Sequence, residues 1–368
     1  MTLLDRYILR SLAFNYVIAL GVMMTLYVVL DLFINMDEFT ENPESWGSIV
    51  AGMASYYGHN LFLYFAQLSG VITLFACLAS VARMRRQNEL TAVLASGMSL
   101  YRVAAPVVAF GLLTSGLWFL DTEVIIPRSA HKLSRRHDDA LGKKSYGVWF
   151  LRDKGDALLC AQSFDPTSEV MKRLLVLYRD AEGRVEEVLE AEEARWQPIA
   201  DNPSGGFWEL ARGIKRSRVV GDPAGLSPGE SVRQVPIVQY QSDLDPEGIQ
   251  LRQSSQWVEF VSTAQLSRLV AQGDISPSRL QQLKHRRFAM PIVNLVLLLL
   301  GLPLVLDRTP GNILRDSARC LAVCGACFMM SFAGQSIEMQ GSLAALPSWL
   351  PIFLFAPAVV VLLDRVKT

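Results

Sequence analysis

Three cysteines near the end of the chain have a spacing that could support metal chemistry. Cys320, Cys324 and Cys327 stand four and three residues apart. Cysteine thiolates bind zinc, but a structural zinc site needs four ligands, which cysteine and histidine usually supply. The surrounding run is apolar, so we interpret these cysteines as small residues that pack between membrane helices. We therefore predict no metal site and no cofactor.

Motifs that would indicate catalysis are missing from the sequence. Residues 142–145 read Gly-Lys-Lys-Ser, but a phosphate-binding loop needs a second glycine upstream, at the position of His137. There is no G-x-S-x-G nucleophile elbow and no H-E-x-x-H zinc motif. His131 and His137 lie among basic residues, and neighbouring positive charge disfavours metal binding there. We therefore predict no catalytic residues and a protein that is not itself an enzyme.

The distribution of charge indicates membrane spans joined to a charged soluble part. Hydrophobic residues make up 51% of the 368-residue chain, and 35 basic residues balance 35 acidic ones. No lysine or arginine occurs within residues 11–82, 103–127 or 320–364, whereas residues 130–287 are dense in both signs. A chain with zero net charge gives no support for nucleic-acid binding, which needs a basic surface.

Six apolar windows are long enough to cross a bilayer as helices. A bilayer core about 30 Å thick needs roughly 20 apolar residues in a helix. A charged residue at the centre of a span costs about 2.5–3.5 kcal/mol, and these windows contain none. The windows are residues 11–30, 61–82, 103–120, 289–306, 320–337 and 343–363. We therefore predict a membrane α-helical bundle of six transmembrane helices.

Basic residues predict the orientation of this bundle. They precede span one, lie between spans two and three and between spans four and five, and follow span six. Loops rich in lysine and arginine stay in the cytoplasm, so both termini are predicted to be cytoplasmic. The loop with Asp37, Glu38, Glu41 and Glu44 then faces outside, as does the region between spans three and four. The basic residues 284–287 at the outer end of span four do not follow the rule, and we expect an interfacial helix there.

The region outside the membrane reads as short β-strands separated by turns. Strand-like runs occur at residues 146–151, 157–161, 174–178, 185–196, 207–211 and 235–240. Several short strands with regular turn signals favour a β-sandwich or an inserted extracytoplasmic jelly roll. Residues 261–287 read as one or two short helices that return to the membrane. The predicted domains are residues 1–128 with helices one to three, 129–284 with the jelly roll and the returning segment, and 285–368 with helices four to six.

An amphipathic segment near residues 84–97 lies between spans two and three. It begins with the basic residues Arg85 and Arg86. Leu90, Val93 and Leu94 recur at the i, i+3, i+4 spacing of a helix, and Gly97 is well placed to end it. Such a helix could lie on lipid headgroups or dock into a groove of a cytoplasmic partner, and the spacing alone leaves both interpretations open.

Short motifs distributed over nearly the whole chain point to one known family. They are LDRYI at residues 4–8, DLFINMDEF at 31–39, NELTA at 88–92, ASGMS at 95–99, EVIIP at 123–127, GVW at 147–149, EEARW at 192–196, HRRFAMP at 285–291 and GLP at 301–303. In their order and spacing the sequence resembles the LptF/LptG-type (YjgP/YjgQ) permeases of lipopolysaccharide export.

The resemblance implies an architecture, a location and a set of partners. The fold would be six helices in the inner membrane with a periplasmic jelly roll between the third and the fourth. The partners would be a second, homologous permease, two copies of a cytoplasmic ABC ATPase subunit that hydrolyses ATP, and a periplasmic jelly-roll bridge protein. The substrate would be lipopolysaccharide or a related lipid, extracted from the inner membrane and passed to that bridge.

The resemblance also implies roles for two groups of residues. The segment after span two would be the coupling helix, in which Glu89 matches the acidic residue that contacts the ATPase, and this favours docking on a partner over lying on lipid. The coupling group comprises Arg85, Arg86, Glu89, Leu90, Val93, Leu94 and Gly97. Helices one and five of the two permeases would line the lateral gate through which lipid enters, with Tyr27, Leu30 and Phe33 on the first and Met329 and Phe332 on the fifth.

One departure from the family and one alternative function accompany this interpretation. Some members carry basic residues on the outer part of helix one, where lipid phosphates bind, but here that region holds Asp31, Asp37 and Glu38. The positive groups would then come from the partner permease or from residues 128–136. The alternative function is a mechanotransmission or scaffold subunit, which would move its outer domain without passing lipid between its helices.

Overall fold

The computed structural model describes most of the chain. The described residues are 3–37, 46–134, 144–180, 183–199, 202–218, 232–254, 257–271, 275–305, 313–337, 339 and 341–364. Glu38, Glu41 and Glu44 of the acidic loop, and residues 135–136 of the basic stretch, lie outside them.

Long helices flank a central β-domain. The helices before it are α1 (Leu3–Ile34), α2 (Trp46–Arg86), α3 (Glu89–Ala95), α4 (Leu100–Leu120) and the short α5 (Ala130–Leu133). Those after it are α6 (Pro246–Leu251), α7 (Trp257–Phe260), α8 (Thr263–Ala271), α9 (Pro277–Val305), α10 (Ile313–Ser336) and α11 (Leu346–Asp364). Among the described residues, six helices are long and apolar enough to cross a membrane, namely α1, α2, α4, α9, α10 and α11. The predicted six-helix bundle with an inserted β-domain is therefore confirmed.

Helix α2 is much longer than its apolar window. It has 41 residues and begins at Trp46, well before residue 61. The part of the helix before residue 61 contains polar residues such as His59 and Asn60, which a hydropathy window excludes but a helix tolerates. The helix therefore reaches beyond the span that the sequence predicted.

Helix α9 lies at the centre of the bundle. It packs against α2, α4, α10 and α11, whereas α1 packs against α2 and α4. Small residues permit the close approach of these helices. A Cβ atom on Gly301 of α9 would lie 2.5 Å from Leu74 Cδ1 and 3.3 Å from Cys320 Sγ, so a larger residue there would displace the Leu74 side chain. Cys320, Cys324 and Cys327 are buried in the core shared by α9, α10 and α11, as the packing interpretation predicted.

The β-domain is built on one antiparallel sheet. Its strands are β1 (Tyr146–Asp153), β2 (Ala157–Asp165), β3 (Val170–Arg179), β4 (Val185–Ile199), β5 (Asn202–Ala211), β6 (Ile214–Arg218), β7 (Val232–Pro236) and β8 (Gln239–Tyr240). The main path runs β1-β2-β3-β4-β5-β8, and β6 pairs with β4 and β7. Strands β5 and β6 keep one register along β4, because Glu193 lies opposite Ala211 and Glu190 opposite Ile214. They are two halves of a strand that is interrupted at Arg212, whose φ is 54°.

Strand β6 is absent from the sequence prediction because it lacks an apolar pattern. Its sequence is IKRSR, and Lys215 and Arg216 form ion pairs with Glu187 and Glu190 of β4. Opposite charges on neighbouring strands stabilise their pairing. The apolar core of the domain comes instead mainly from strands β2 to β5, and Phe164, Met171 and Trp208 are fully buried in it.

A cluster of ion pairs joins α9 to the end of α4 and to the helices that follow the β-domain. We call Glu123, Glu259, Thr263, Arg286 and Arg287 the junction cluster. Arg287 Nη1 lies 2.9 Å from Glu123 Oε2 and 3.0 Å from Thr263 Oγ1, and its other terminal nitrogen donates to the Val261 carbonyl. Arg286 binds Glu259 through two contacts of 3.0 Å. Glu123 stands in the π-helical turn Asp121–Ile125 that continues α4.

The junction cluster accounts for the basic residues that do not follow the charge rule. We expected an interfacial helix at residues 284–287, but these residues lie within the continuous helix α9, which begins at Pro277. Two of them, Arg286 and Arg287, are neutralised by carboxylates from α7 and from the end of α4. Arg286 and Arg287 therefore form ion pairs with other segments of the chain. The positive-inside rule counts basic residues in loops and does not take such ion pairs into account.

Candidate functional site

The loop between α2 and α4 forms a short helix bounded by two left-handed residues. Asn88 has φ 58° and separates α2 from α3, and asparagine tolerates this conformation better than most residues. Gly97, with φ 80°, follows the end of α3, and its N–H donates to the Leu94 carbonyl at 3.0 Å. The predicted helix is thus present as α3, over a shorter range than residues 84–97, and Gly97 ends it as predicted.

The apolar face of α3 packs inside the chain. Leu90 is buried, and Val93 and Leu94 are half-buried against a core that includes Ile8 and Leu12 of α1. The side chains of Leu90, Val93 and Leu94 therefore hold α3 against the helical bundle. Its opposite face exposes small residues, namely Thr91, Ala92, Ala95 and Ser96, next to the exposed Arg86.

Glu89 has a partner that sequence reasoning missed. The hydroxyl of Tyr7 lies 2.8 Å from each carboxylate oxygen of Glu89, although the two residues are 82 positions apart in the chain. Glu89 is half-buried, as is Arg85. Tyr7 belongs to the LDRYI motif at residues 4–8, so the only signal in the sequence was that this motif and the NELTA motif of the loop both match the family.

The residues predicted for lipid entry lie on two separate helices. Tyr27 of α1 is half-buried, and its ring centroid lies 4.3 Å from that of Tyr64 of α2. Leu30 and Phe33 of α1 are exposed, and so are Met329 and Phe332 of α10. Helix α10 packs against α9 and α11, whereas α1 packs against α2 and α4. One copy of the chain therefore leaves these two apolar faces apart, and each of them is open to another surface.

Comparison with known proteins places the whole chain in one family. No curated protein matches it. The family model for "Lipopolysaccharide export system permease LptF/LptG" matches residues 6–365. This range extends from the first turn of α1 beyond the end of α11 and includes the β-domain. Because the match covers essentially the entire protein, the chain belongs to the LptF/LptG family of lipopolysaccharide export permeases.

Proposed function

We propose that the protein is the permease subunit of an ABC transporter that extracts lipopolysaccharide or a related lipid from the inner membrane and passes it to a periplasmic bridge protein. The observation that carries this proposal is the family match over residues 6–365. Family membership makes the chain a multi-pass inner-membrane permease and not an enzyme, so we place ATP hydrolysis in a separate cytoplasmic ATPase dimer. Both termini and α3 would then face the cytoplasm, and the β-domain would face the periplasm.

The coupling site in this proposal is the exposed side of the loop that contains α3. Arg85, Arg86 and Glu89 supply charge at that surface, and Gly97 sets the end of the helix. Leu90, Val93 and Leu94 would act indirectly, because they hold α3 against the bundle. A charged rim beside small exposed residues suits a groove on a soluble partner better than it suits a lipid surface, which takes apolar side chains.

The lipid path in this proposal requires a second, homologous permease. Exposed apolar residues on α1, Leu30 and Phe33, and on α10, Met329 and Phe332, lie on helices that do not pack together within the chain. A pseudo-twofold pair would place α1 of one permease beside α10 of the other, which creates two seams. Methionine adapts to irregular apolar shapes, which suits a seam that must open for an acyl chain.

The experiment that tests the proposed function is affinity purification of the chain in mild detergent. We expect an ABC-type ATPase and a second permease of the same family to copurify in stoichiometric amounts. A membrane protein of similar size with the same tag is the control. Recovery of the chain alone, from cells in which it supports growth, would contradict the proposal.

A scaffold function is the second candidate, and the junction cluster is the observation that favours it. The ion pair between Arg286 of α9 and Glu259 of α7, together with the hydrogen bond of Arg287 to Thr263 of α8, links the bundle to helices that follow the β-domain. This link would transmit a movement of the bundle to the outer domain without any lipid passing through.

Photocrosslinking from α10 separates the two candidates. Crosslinkers at Met329 and Phe332, which are 63% and 61% exposed, are expected to capture lipopolysaccharide during ATP turnover. Leu354 of α11 is 56% exposed and serves as the control for contact with bulk lipid. Equal capture at all three positions, or capture that does not depend on ATP, would contradict the lipid path and favour the scaffold.

A further inference from the structure

The contact between Tyr7 and Glu89 connects the two parts of the molecule that the proposed function assigns to coupling and to lipid entry. Both carboxylate oxygens of Glu89 lie 2.8 Å from the Tyr7 hydroxyl, which donates to them. A hydrogen bond to an ionised acceptor is roughly twice as strong as one between neutral groups. The contact therefore fixes the position of α3 relative to the first turns of α1.

Apolar packing beneath this hydrogen bond holds the two helices together. Ile8 and Leu12 of α1 are buried in the same core as Leu90 of α3 and Met84 of α2. Asp5 of α1 also lies 3.7 Å from Arg102 at the start of α4. Apolar burial is non-directional, so this core holds α3 against α1 without fixing how α3 is oriented on it. The directional hydrogen bond from Tyr7 to Glu89 sets that orientation, so a displacement of α3 is passed to the adjacent end of α1.

The far end of the same helix carries the residues assigned to the gate. Helix α1 is continuous from Leu3 to Ile34, and proline does not interrupt it. At 1.5 Å per residue, Leu30 lies roughly 35 Å along the axis from Tyr7. A tilt of α1 that begins at Tyr7 therefore also moves Leu30 and Phe33, because no proline hinge lies between them.

We propose that Tyr7 is a positioning residue that transmits movement of the coupling helix α3 to the gate helix α1 through its hydrogen bond to Glu89. The proposal rests on the proposed function, because it assigns a mechanical role within the same transport cycle. It predicts that losing the hydroxyl uncouples ATP hydrolysis from lipid release without dissociating the complex.

The test compares Tyr7→Phe with Tyr101→Phe in the full complex, reconstituted in proteoliposomes with purified lipopolysaccharide. Tyr101 is the matched control, because both tyrosines are 43% exposed and the Tyr101 hydroxyl donates instead to the Leu363 carbonyl at 3.3 Å. We expect Tyr7→Phe to lower the lipid released per ATP hydrolysed about fivefold, the lower range of coupling between sites. Copurification of the ATPase and the thermal unfolding midpoint stay at wild-type values, as does the ratio for Tyr101→Phe.

Other outcomes overturn the inference in distinguishable ways. A Tyr7→Phe complex with the wild-type ratio, or one in which hydrolysis and release fall together, shows that the hydroxyl does not couple the two sites. Failure of Tyr7→Phe to assemble assigns the hydroxyl to assembly instead. An equal fall in the lipid released per ATP for Tyr101→Phe would show that the effect is not specific to the contact between Tyr7 and Glu89. If wild-type protein does not copurify with an ATPase, the proposed function itself is wrong.

Discussion

Arg287→Ala is expected to destabilise the protein by about 3 kcal/mol. The side chain is buried and donates to Glu123, Thr263 and the Val261 carbonyl. Its removal leaves the half-buried Glu123 carboxylate without its counter-charge and takes a donor from the Val261 carbonyl, and both losses are costly. The measurement is the thermal unfolding midpoint of the protein purified in detergent, together with protease cleavage of the β-domain.

Arg286→Ala is the matched control for this prediction. The neighbouring pair Arg286–Glu259 has similar geometry but is more exposed on the arginine side, 24% against 9% for Arg287. Arg286→Ala should therefore lower the thermal unfolding midpoint less than Arg287→Ala does. Combining Arg287→Met with Glu123→Gln should recover part of the loss, because the carboxylate no longer needs a counter-charge. Equal midpoints for Arg287→Ala and wild type would show that the cluster contributes nothing to stability.

Glu89→Lys is expected to abolish association with the ATPase while the chain remains inserted in the membrane. The substitution replaces a negative charge at the proposed docking surface with a positive charge. This charge is close in sequence to Arg85 and Arg86, which are also positive. Like charges that face each other across an interface cost several kcal/mol, and 3 kcal/mol corresponds to about a hundredfold loss of affinity. The measurement is the amount of ATPase that copurifies with the tagged permease.

Two controls separate the interface from general damage. Glu192→Lys reverses an exposed charge on β4, far from the loop in sequence, and should leave copurification unchanged. Glu89→Gln removes the charge without reversing it and should have an intermediate effect. Normal copurification of the ATPase with the Glu89→Lys permease would show that Glu89 is not part of the interface. Because Tyr7→Phe is expected to keep the complex intact, the two substitutions also distinguish docking from transmission.

The sequence by itself determined the six spans and most of the strands. A helix in lipid must satisfy its backbone internally and present apolar side chains for about 20 residues, so each span leaves a local signature. Short apolar runs bounded by turn residues likewise indicate β1 to β5 without any knowledge of their neighbours. Strand β6 and the first turns of α2 lack such a local pattern, because charge pairing and neighbouring elements hold them in place. The sequence therefore predicted neither.

Tertiary structure decided how the charged and functional residues meet. Leu90, Val93 and Leu94 matched a docking face by spacing, yet they pack against α1, and the spacing of apolar residues cannot say which surface covers them. Tyr7 reaches Glu89, and Arg287 reaches Glu123 across 164 positions, only because the bundle brings distant helices together. Within one copy of the chain, α1 packs on α2 and α4 whereas α10 packs on α9 and α11, and the gate that the resemblance implies lies between two permeases. The periodicity of apolar residues indicates which side of a helix or strand is apolar. Which other element covers that side depends on packing over the whole molecule.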